Sequence, residues 1–159
     1  MGYYNSIASG YDELHQEEQL NKLNIIKNSI NINKDTRVLD VGCGTGISSD
    51  FDCFVVGIDP SSGLLRQNKH SMKLLGAAEA LPFKDSSFDC IISITSLHNF
   101  QNIKKSINEI RRVGKRDFAF SILRKSKKYG YMRNALEKSF KIHEAIEEAK
   151  DTILLCQKP

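Results

Sequence analysis

The sequence predicts an α/β protein whose core is a doubly wound, mostly parallel sheet. The first observation is the stretch 37–46, where three alternate glycines end a short apolar run suited to a strand buried on both faces. The second is a similar apolar run at 55–58, which closes on Asp59. Further short apolar runs alternate with segments of helical periodicity, and this alternation is typical of βαβ units.

The first elements follow from these periodicities. Apolar residues recur at imperfect helical spacing from about 13 to 30, so we expect a helix there, with Ser9 and Gly10 breaking any longer helix. The segment between the first strand and the strand 54–58 leaves room for only about two helical turns. We therefore expect a short first crossover.

The later elements alternate in the same way. Ser61 or Ser62 is placed to cap a helix of about two turns. Isoleucine and valine residues at helical spacing predict an amphipathic helix over 103–113. The other expected elements are strands 72–75, 90–94, 118–123 and 152–157 and a helix from 129 to about 140.

A glycine loop follows the first strand. Gly42, Gly44 and Gly46 carry no Cβ, so the backbone can turn sharply and a flat ligand can lie close to it. A dinucleotide fingerprint requires a glycine at position 47, where this sequence has Ile47. The loop therefore predicts a ligand site and disfavours a dinucleotide.

Two acids flank this loop. Asp40 precedes it, and a carboxylate there would repel a pyrophosphate but attract an ammonium or sulfonium group. Asp59 ends the second strand, where an acid is placed to accept hydrogen bonds from both ribose hydroxyls. A nucleoside with a cationic tail and no phosphates satisfies both conditions, and S-adenosylmethionine fits this description.

The order of the motifs resembles that of the class I (Rossmann-like) S-adenosylmethionine-dependent methyltransferases. The resemblance is greatest to the methyltransferase type 11 branch, which includes the ubiquinone/menaquinone-biosynthesis methyltransferases that act on small molecules. The motifs, within residues 37 to 113, are Val-Leu-Asp-Val-Gly-Cys-Gly-Thr-Gly at 38–46, Gly-Ile-Asp-Pro-Ser at 57–61, Glu-Ala-Leu-Pro-Phe at 79–83 and Ser-Phe-Asp at 87–89.

The resemblance implies a fold and a cofactor. The fold is a compact seven-stranded sheet with an antiparallel C-terminal hairpin, although residues 141–150 also allow a continued helix. The cofactor is S-adenosylmethionine, the product is S-adenosylhomocysteine, and no metal is expected. The implied cofactor-binding residues are Tyr11, Asp40, Gly42, Cys43, Gly44, Gly46, Asp59, Pro60, Ala78, Glu79 and Ser93.

Two of these contacts have alternatives. In relatives, a Tyr-Asp pair like Tyr11 and Asp12 lies in an N-terminal flap over the cofactor, but Tyr11 can equally pack the helix on the sheet. Relatives often carry an acid that binds the adenine amino group where this chain has Ala77. Adenine recognition then passes to the backbone near Ala78 and to Glu79, unless Glu79 faces water.

The candidate catalytic residue is His98. Residues 93–100 form the carboxyl end of the fourth strand and the segment after it, and the carboxyl ends of parallel strands are where ligands bind. His98 has the only evident acid–base side chain there, so it is a candidate general base, with a structural or substrate-shaping role as the alternative. Methyl transfer from a sulfonium is an in-line displacement that depends mainly on alignment, so few catalytic side chains are required.

Composition indicates one globular domain of 159 residues, with 40% hydrophobic and 26% charged residues. Within it we expect an N-terminal flap and helix (1–31), a cofactor-binding core (37–123) and a C-terminal helix and hairpin (124–159). No apolar run approaches a membrane span and the N-terminus is polar, so we expect a cytoplasmic protein. The four cysteines show no metal-ligand spacing and are expected to be reduced.

Basic residues are concentrated between 111 and 133, where Asp117 is the only acid. Such a cluster can bind phosphate or nucleic acid, or it can simply solvate a helix end and loops. The basic residues are Arg111, Arg112, Lys115, Arg116, Arg124, Lys125, Lys127, Lys128 and Arg133.

Three functions remain open at this point. The favoured one is methyl transfer to a small molecule. The second is an RNA or protein methyltransferase that uses the basic cluster, although Ser-Ile-Thr-Ser at 93–96 lacks the Asn/Asp-Pro-Pro-Tyr/Phe motif of amino-group methylation. The third is a non-catalytic cofactor-binding protein of the same fold. The sequence does not define the oligomeric state.

Overall fold

The structure of the chain is a computed structural model, which describes the backbone of residues 8–159 and the side chains of residues 13–159. Four α-helices lie in this part of the chain: α1 (Ala8–Ser29), α2 (Ser62–Gln67), α3 (Ile103–Val113) and α4 (Tyr129–Ser139). The strands are β1 (Arg37–Val41), β2 (Phe54–Asp59), β3 (Lys73–Leu75), β4 (Phe88–Ile94), β5 (Gly114–Leu123), β6 (Lys141–Glu147) and β7 (Asp151–Gln157). Two 3₁₀ turns add Ile47–Ser49 and Leu97–Asn99.

The seven strands form one sheet in the order β3-β2-β1-β4-β5-β7-β6. The pairs among β1 to β5 are parallel, while β7 runs antiparallel to both β5 and β6. The strand order reverses between β1 and β4, and in open α/β sheets ligands bind outside the carboxyl ends of the strands at such a point. The predicted doubly wound sheet with an antiparallel C-terminal hairpin is confirmed.

Apolar side chains cover both faces of the sheet. On one face, Ile107 of α3 and Leu136 of α4 pack with Leu39, Ile91 and Phe118 of the strands. On the other face, Leu23 and Ile26 of α1 pack with Val38, Cys90 and Ile92 of the strands as part of a second apolar cluster. Alternate residues of one strand therefore serve different layers, as expected for a sheet buried on both sides.

Helix α3 shows how the sequence specifies an element. Asn102 caps its start by accepting a hydrogen bond from the backbone N–H of Lys105 at 3.0 Å. Its apolar stripe is buried, as predicted. Strand β5 follows with no loop between them, because Gly114 is both the C-cap of α3 and the first residue of β5. A Cβ at Gly114 would lie 2.4 Å from the Phe118 ring, so only glycine fits this junction.

Three predicted boundaries were wrong. Helix α1 begins at Ala8 and passes through Ser9 and Gly10, so the expected break is absent. The first crossover is shorter than predicted, a single 3₁₀ turn at Ile47–Ser49 instead of about two helical turns. Strand β5 begins at Gly114 rather than 118, since its backbone continues directly from α3.

None of the described helices has both the length and the apolar composition that a membrane span requires.

Candidate functional site

The glycine loop lies at the carboxyl end of β1 and turns over the end of β2. Gly42, Gly44 and Gly46 have φ angles of 80°, 51° and 88°, which lie in the region that favours glycine. The backbone N–H groups of Gly42 and Cys43 donate to the carbonyl of Ile58 at 2.8 and 3.1 Å. The loop therefore has a fixed position relative to the acid that ends β2.

The three glycines face different surroundings. A Cβ at Gly42 would lie 2.5 Å from Ser96 Oγ, and a Cβ at Gly46 would lie 2.5 Å from Asn68 Oδ1, so packed side chains already occupy both places. At Gly44 the only such neighbour among the described atoms is Leu64 Cδ1, at 3.7 Å. Gly44 is therefore where a ligand can approach the loop closely.

Asp59 lies directly beside this open position. Its Oδ2 atom accepts a hydrogen bond from the backbone N–H of Gly44 at 2.9 Å, and its Oδ1 atom accepts one from Ser61 at 2.8 Å. Each carboxylate oxygen has a second lone pair, so both can accept a further hydrogen bond. The structure thus brings Asp59 next to the glycine loop.

Asp40 lies beneath the loop and is fully buried. Its Oδ2 atom accepts hydrogen bonds from the hydroxyls of Ser48 and Ser49 at 2.8 and 2.6 Å. Burial raises the pKa of Asp40 to about 6, although both serine hydrogen bonds favour the charged form. The Oδ1 atom has no hydrogen-bond partner among the described residues, so an acceptor is left free in the interior.

Asn68 and His70 hold the loop from the outside, and sequence reasoning missed both. Asn68 Nδ2 donates to the carbonyl of Gly44 at 3.2 Å, and the backbone N–H of His70 donates to Asn68 Oδ1 at 2.9 Å. His70 Nε2 lies 3.0 Å from the carbonyl oxygen of Gly46. Asn68 is buried although it follows α2, where an asparagine is usually exposed, so no local signal marked it.

Residues 77–79 form the edge where adenine recognition was predicted. Ala77 is exposed and Ala78 is buried. Glu79 Oε1 accepts a hydrogen bond from the backbone N–H of Asn102 at 3.0 Å and so fixes the start of α3. Burial disfavours the charged carboxylate of Glu79, but backbone donors, chiefly Asn102, outweigh this effect and lower its pKa.

The segment after β4 joins this site to the rest of the sheet. Ser93 is fully buried, and its hydroxyl has no partner among the side chains and backbone groups described. The single hydroxyl proton of Ser96 is shared between the carbonyl oxygens of Gly42 and Ile94, which lie 3.2 and 3.0 Å from Oγ. Thr95 between them has a φ angle of 51°, which is unusual for a β-branched residue.

His98 lies in the second 3₁₀ turn and is half-buried. Its Nδ1 atom is buried without a partner in the described structure, and its carbonyl accepts a hydrogen bond from Lys128 Nζ at 3.0 Å. Burial lowers the pKa of His98, Lys128 acts in the same direction, and Asp151 opposes them. A neutral imidazole with a free nitrogen is the form that a general base requires.

A cavity of about 270 Å³ lies at the residues that follow this turn. Phe100 and Tyr131 supply aromatic surface, while Asn102 and Lys128 supply polar groups. This combination of an apolar lining with a few polar groups is typical of small-molecule sites.

Most of the basic cluster is not free to bind a polyanion. Arg112 lies 2.8 Å from Asp85 Oδ1 and 2.8 Å from Glu109 Oε1, in two ion pairs. Arg116 and Arg133 pair with acids in the same way, and Arg124 donates to three backbone carbonyls. Lys115 pairs with Asp89, so these five of the nine basic residues of the cluster have partners within the protein. Of the paired acids only Asp117 lies within residues 111–133, so the local sequence does not show the others.

Three predicted contacts remain to be placed. Pro60 is exposed next to Asp59, while Cys43 is buried with its Sγ atom 2.7 Å from where a Cβ at Gly57 would lie. Tyr11 belongs to α1, but its side chain lies outside the described residues, as does that of Asp12. No group of three histidine, cysteine or acidic residues in residues 13–159 is placed to hold a metal ion.

Comparison with known proteins gives a family match and several relatives. A family model described as a methyltransferase domain matches residues 39–122. An uncharacterized protein of Methanocaldococcus jannaschii is 34% identical over 95% of this chain and 62% of its own length. A demethylmenaquinone methyltransferase of Renibacterium salmoninarum is 41% identical over 50% of this chain and 37% of its own length.

A third relative and a solved structure extend this likeness. The 18S rRNA (guanine-N(7))-methyltransferase of Bos taurus is 36% identical over 45% of this chain and 29% of its own length. The chain thus spans less than two thirds of the length of each of these three relatives. A SAM-dependent methyltransferase from Aquifex aeolicus has the same fold, with a TM-score of 0.72, 16% identity and coverage of 86% of this chain and 89% of that one.

Proposed function

Because this chain belongs to the class I S-adenosylmethionine-dependent methyltransferases, we propose that it transfers the methyl group of S-adenosylmethionine to a small-molecule acceptor. The observation that carries the proposal is the direct contact between Gly44 and Asp59. It combines a loop that a ligand can approach closely with an acid that has free acceptor positions. The methyltransferase domain and the cofactor are features of the family, whereas the acceptor is our proposal.

The chain has groups that fit each part of the cofactor. Asp59 would accept hydrogen bonds from the ribose hydroxyls, and the backbone at Gly44 would lie against the nucleoside. The free Oδ1 atom of Asp40 would act as the acceptor for the ammonium group, and the backbone at Ala78 would face adenine. When bound, S-adenosylmethionine supplies a methyl group on a sulfonium, which is a good leaving group.

The roles of the other predicted contacts follow from their places in the structure. Gly42, Cys43 and Gly46 maintain the shape of the loop, because their positions are packed by Ser96, Gly57 and Asn68. Pro60 would border the ribose, Ser93 would lie under the reacting end, and Tyr11 would cover the cofactor. Glu79 would act indirectly, since its carboxylate already holds the backbone of Asn102.

His98 is the proposed general base. Its half-buried imidazole lies on the 3₁₀ turn that follows β4, at the carboxyl edge of the sheet. A lowered pKa keeps the ring neutral near pH 7, so the imidazole has a nitrogen that can take a proton from an acceptor hydroxyl or amine. The other requirement of the reaction is alignment of acceptor, methyl group and sulfur, which the fixed loop would provide.

Two observations support a small-molecule acceptor. The open cavity of about 270 Å³ near His98 is lined by aromatic and polar side chains, and its volume lies just below the range of about 300–1,000 Å³ usual for ligand pockets, so it suits only a small acceptor. The arginines at 112, 116, 124 and 133 and Lys115 are engaged within the protein, so these five of the nine basic residues of the cluster already have partners that compete with a nucleic-acid backbone. The bovine relative named as an rRNA methyltransferase supports RNA as the second candidate.

Methyl-transfer assays distinguish these possibilities. Protein would be incubated with S-adenosylmethionine labelled on the methyl group, together with either a small-molecule metabolite extract or total RNA. Label in the small-molecule fraction, strongly reduced with Asp59→Ala at a cofactor concentration below saturation, is the expected result. Label in RNA would favour the second candidate, and tight S-adenosylhomocysteine binding without transfer to either pool would indicate a non-catalytic binding protein.

A further inference from the structure

Thr95 has an unfavourable backbone conformation at the end of β4. Its φ angle of 51° is in the left-handed region, where a β-branched side chain is sterically disfavoured. Such a conformation persists only when surrounding contacts stabilise it, and it often marks a functional position. The contacts that hold Thr95 are therefore informative.

A buried ion pair holds the Thr95 side chain. Thr95 Oγ1 donates to Asp151 Oδ2 at 2.7 Å and accepts a hydrogen bond from Lys22 Nζ at 3.1 Å. Lys22 Nζ lies 3.3 Å from Asp151 Oδ2, and both side chains are at least 97% buried. The backbone N–H of Thr95 donates to Ser121 Oγ at 2.8 Å. These bonds come from α1, β5 and β7, so three separate elements converge on one residue.

The residue after Thr95 contacts the glycine loop. Ser96 Oγ donates to the carbonyl of Gly42 and occupies the place of a Cβ at that glycine. A change of φ at Thr95 would rotate the following peptide and move Ser96 away from Gly42, since φ sets the direction in which the chain continues. The conformation of Thr95 and the position of Ser96 are therefore linked.

We propose that Lys22, Asp151 and Thr95 form a buried clamp that holds Thr95 in its left-handed conformation and thereby keeps Ser96 against Gly42 in the cofactor loop. All three are positioning residues for cofactor binding, because none of them contacts the loop itself. The inference rests on the cofactor site described under the proposed function and is independent of the acceptor.

A purely structural ion pair is the competing explanation. Removing one partner of a buried pair leaves an uncompensated charge, which destabilises the whole protein whether or not the cofactor loop is affected. Loss of stability alone therefore does not support the clamp. The test therefore compares two variants of residue 95 that both lack the hydroxyl but differ in how readily they adopt a positive φ angle.

Thr95→Ala and Thr95→Gly form such a matched pair. Both variants lose Oγ1, but glycine adopts a φ of 51° readily and alanine does not. Calorimetric titration with S-adenosylhomocysteine is expected to show affinity about five- to tenfold weaker for Thr95→Ala and within about twofold of the unchanged protein for Thr95→Gly. Equal affinities for the two variants would overturn the proposal.

A second comparison tests the ion pair through the same residue. With Thr95 present, Lys22→Met is expected to weaken S-adenosylhomocysteine binding about fivefold. In the Thr95→Gly background, the same substitution is expected to weaken it less than about twofold. The exposed Lys34→Met controls for the loss of one positive charge. An equal effect of Lys22→Met in both backgrounds would assign the pair to stability alone and overturn the clamp.

These measurements separate the inference from the proposed function. If the unchanged protein does not bind S-adenosylhomocysteine, both ideas are wrong. If it binds and the variants behave alike, only the clamp is wrong. Thermal unfolding of each variant gives the accompanying stability change, and if Thr95→Ala does not fold, the Lys22→Met comparison decides the question.

Discussion

The Oδ2 atom of Asp59 lies 2.9 Å from the backbone nitrogen of Gly44, so the acid that ends β2 directly holds the open position of the glycine loop. This carboxylate holds the loop from within, and its remaining lone pairs are the acceptors that we propose for the cofactor.

Asp59→Ala should weaken S-adenosylhomocysteine binding by about 1.5–3 kcal/mol, because two ribose hydroxyls lose a charged acceptor and the loop loses its anchor. Isothermal titration calorimetry measures the change directly. Asp59→Asn is the matched control, since it retains one acceptor oxygen and should lose less. Unchanged affinity in Asp59→Ala would contradict the placement of the ribose.

Ala77→Asp should strengthen binding by about tenfold through a charge-assisted hydrogen bond to the adenine amino group. Ala77 is exposed, so the new carboxylate need not be buried, and Glu79 is already bonded to Asn102. S-adenosylhomocysteine would be compared with an analogue that lacks the 6-amino group, with Ala77→Asn as a neutral control. The idea fails if the variant gains no preference for the amino-bearing ligand.

Asp40 should make the protein less stable as the pH rises from about 4 to above 6. Burial raises its pKa from an ordinary value of 3.8 to about 6, so in this range the folded state holds a proton that the unfolded state has lost. The stability associated with this proton is complete below the unfolded pKa and is lost as the pH rises through the folded one. The effect is on the order of 3 kcal/mol.

Urea unfolding of the unchanged protein and of Asp40→Asn at pH 4 and pH 7.5 measures this contribution. Relative to the unchanged protein, Asp40→Asn should have a higher free energy of unfolding at pH 7.5 than it has at pH 4. Carboxylates with lowered pKa values, such as Asp89 and Glu109, act in the opposite direction, but they are common to both proteins and cancel. A pH-independent difference would mean that Asp40 titrates normally.

His98→Gln should lower kcat by about 10²- to 10⁴-fold and leave S-adenosylhomocysteine affinity unchanged if the imidazole is the base. The kcat of the unchanged enzyme should fall on the acidic side, with a midpoint below that of an ordinary histidine, because burial lowers the pKa of this side chain. A pH–rate profile with the identified acceptor provides the measurement. If kcat of His98→Gln still falls at low pH in the same way, another group titrates and His98 has a structural role.

Elements with strong local signals could be predicted from the sequence. The stripe of α3 and the apolar runs of β1 and β4 depend on periodicity, and their burial follows from it. The sequence predicts a helix break at Gly10, but a single glycine costs a helix only about 1 kcal/mol, which the rest of a 22-residue helix tolerates.

Features of the site that depend on distant contacts could not be predicted. Asp40 was correctly identified as an acid beside the loop, yet its complete burial beneath Ser48 and Ser49 depends on how the first crossover folds back. Likewise, Asp85 neutralises Arg112 across 27 positions of sequence, which no charge count within residues 111–133 contains. The burial of Asp40 and the pairing of Arg112 both depend on which residues are close in the folded structure, and composition does not show this.

Helix α3 continues directly into β5 at Gly114, with no loop residue between them. An inserted or deleted residue would turn the apolar stripe of α3 by 100° relative to the sheet, or exchange the side chains that β5 presents to its two faces. Neither change can be absorbed by a loop, since none separates the two elements. The spacing between Ile110 and Phe118 is therefore as strict a requirement of this fold as the identity of either residue.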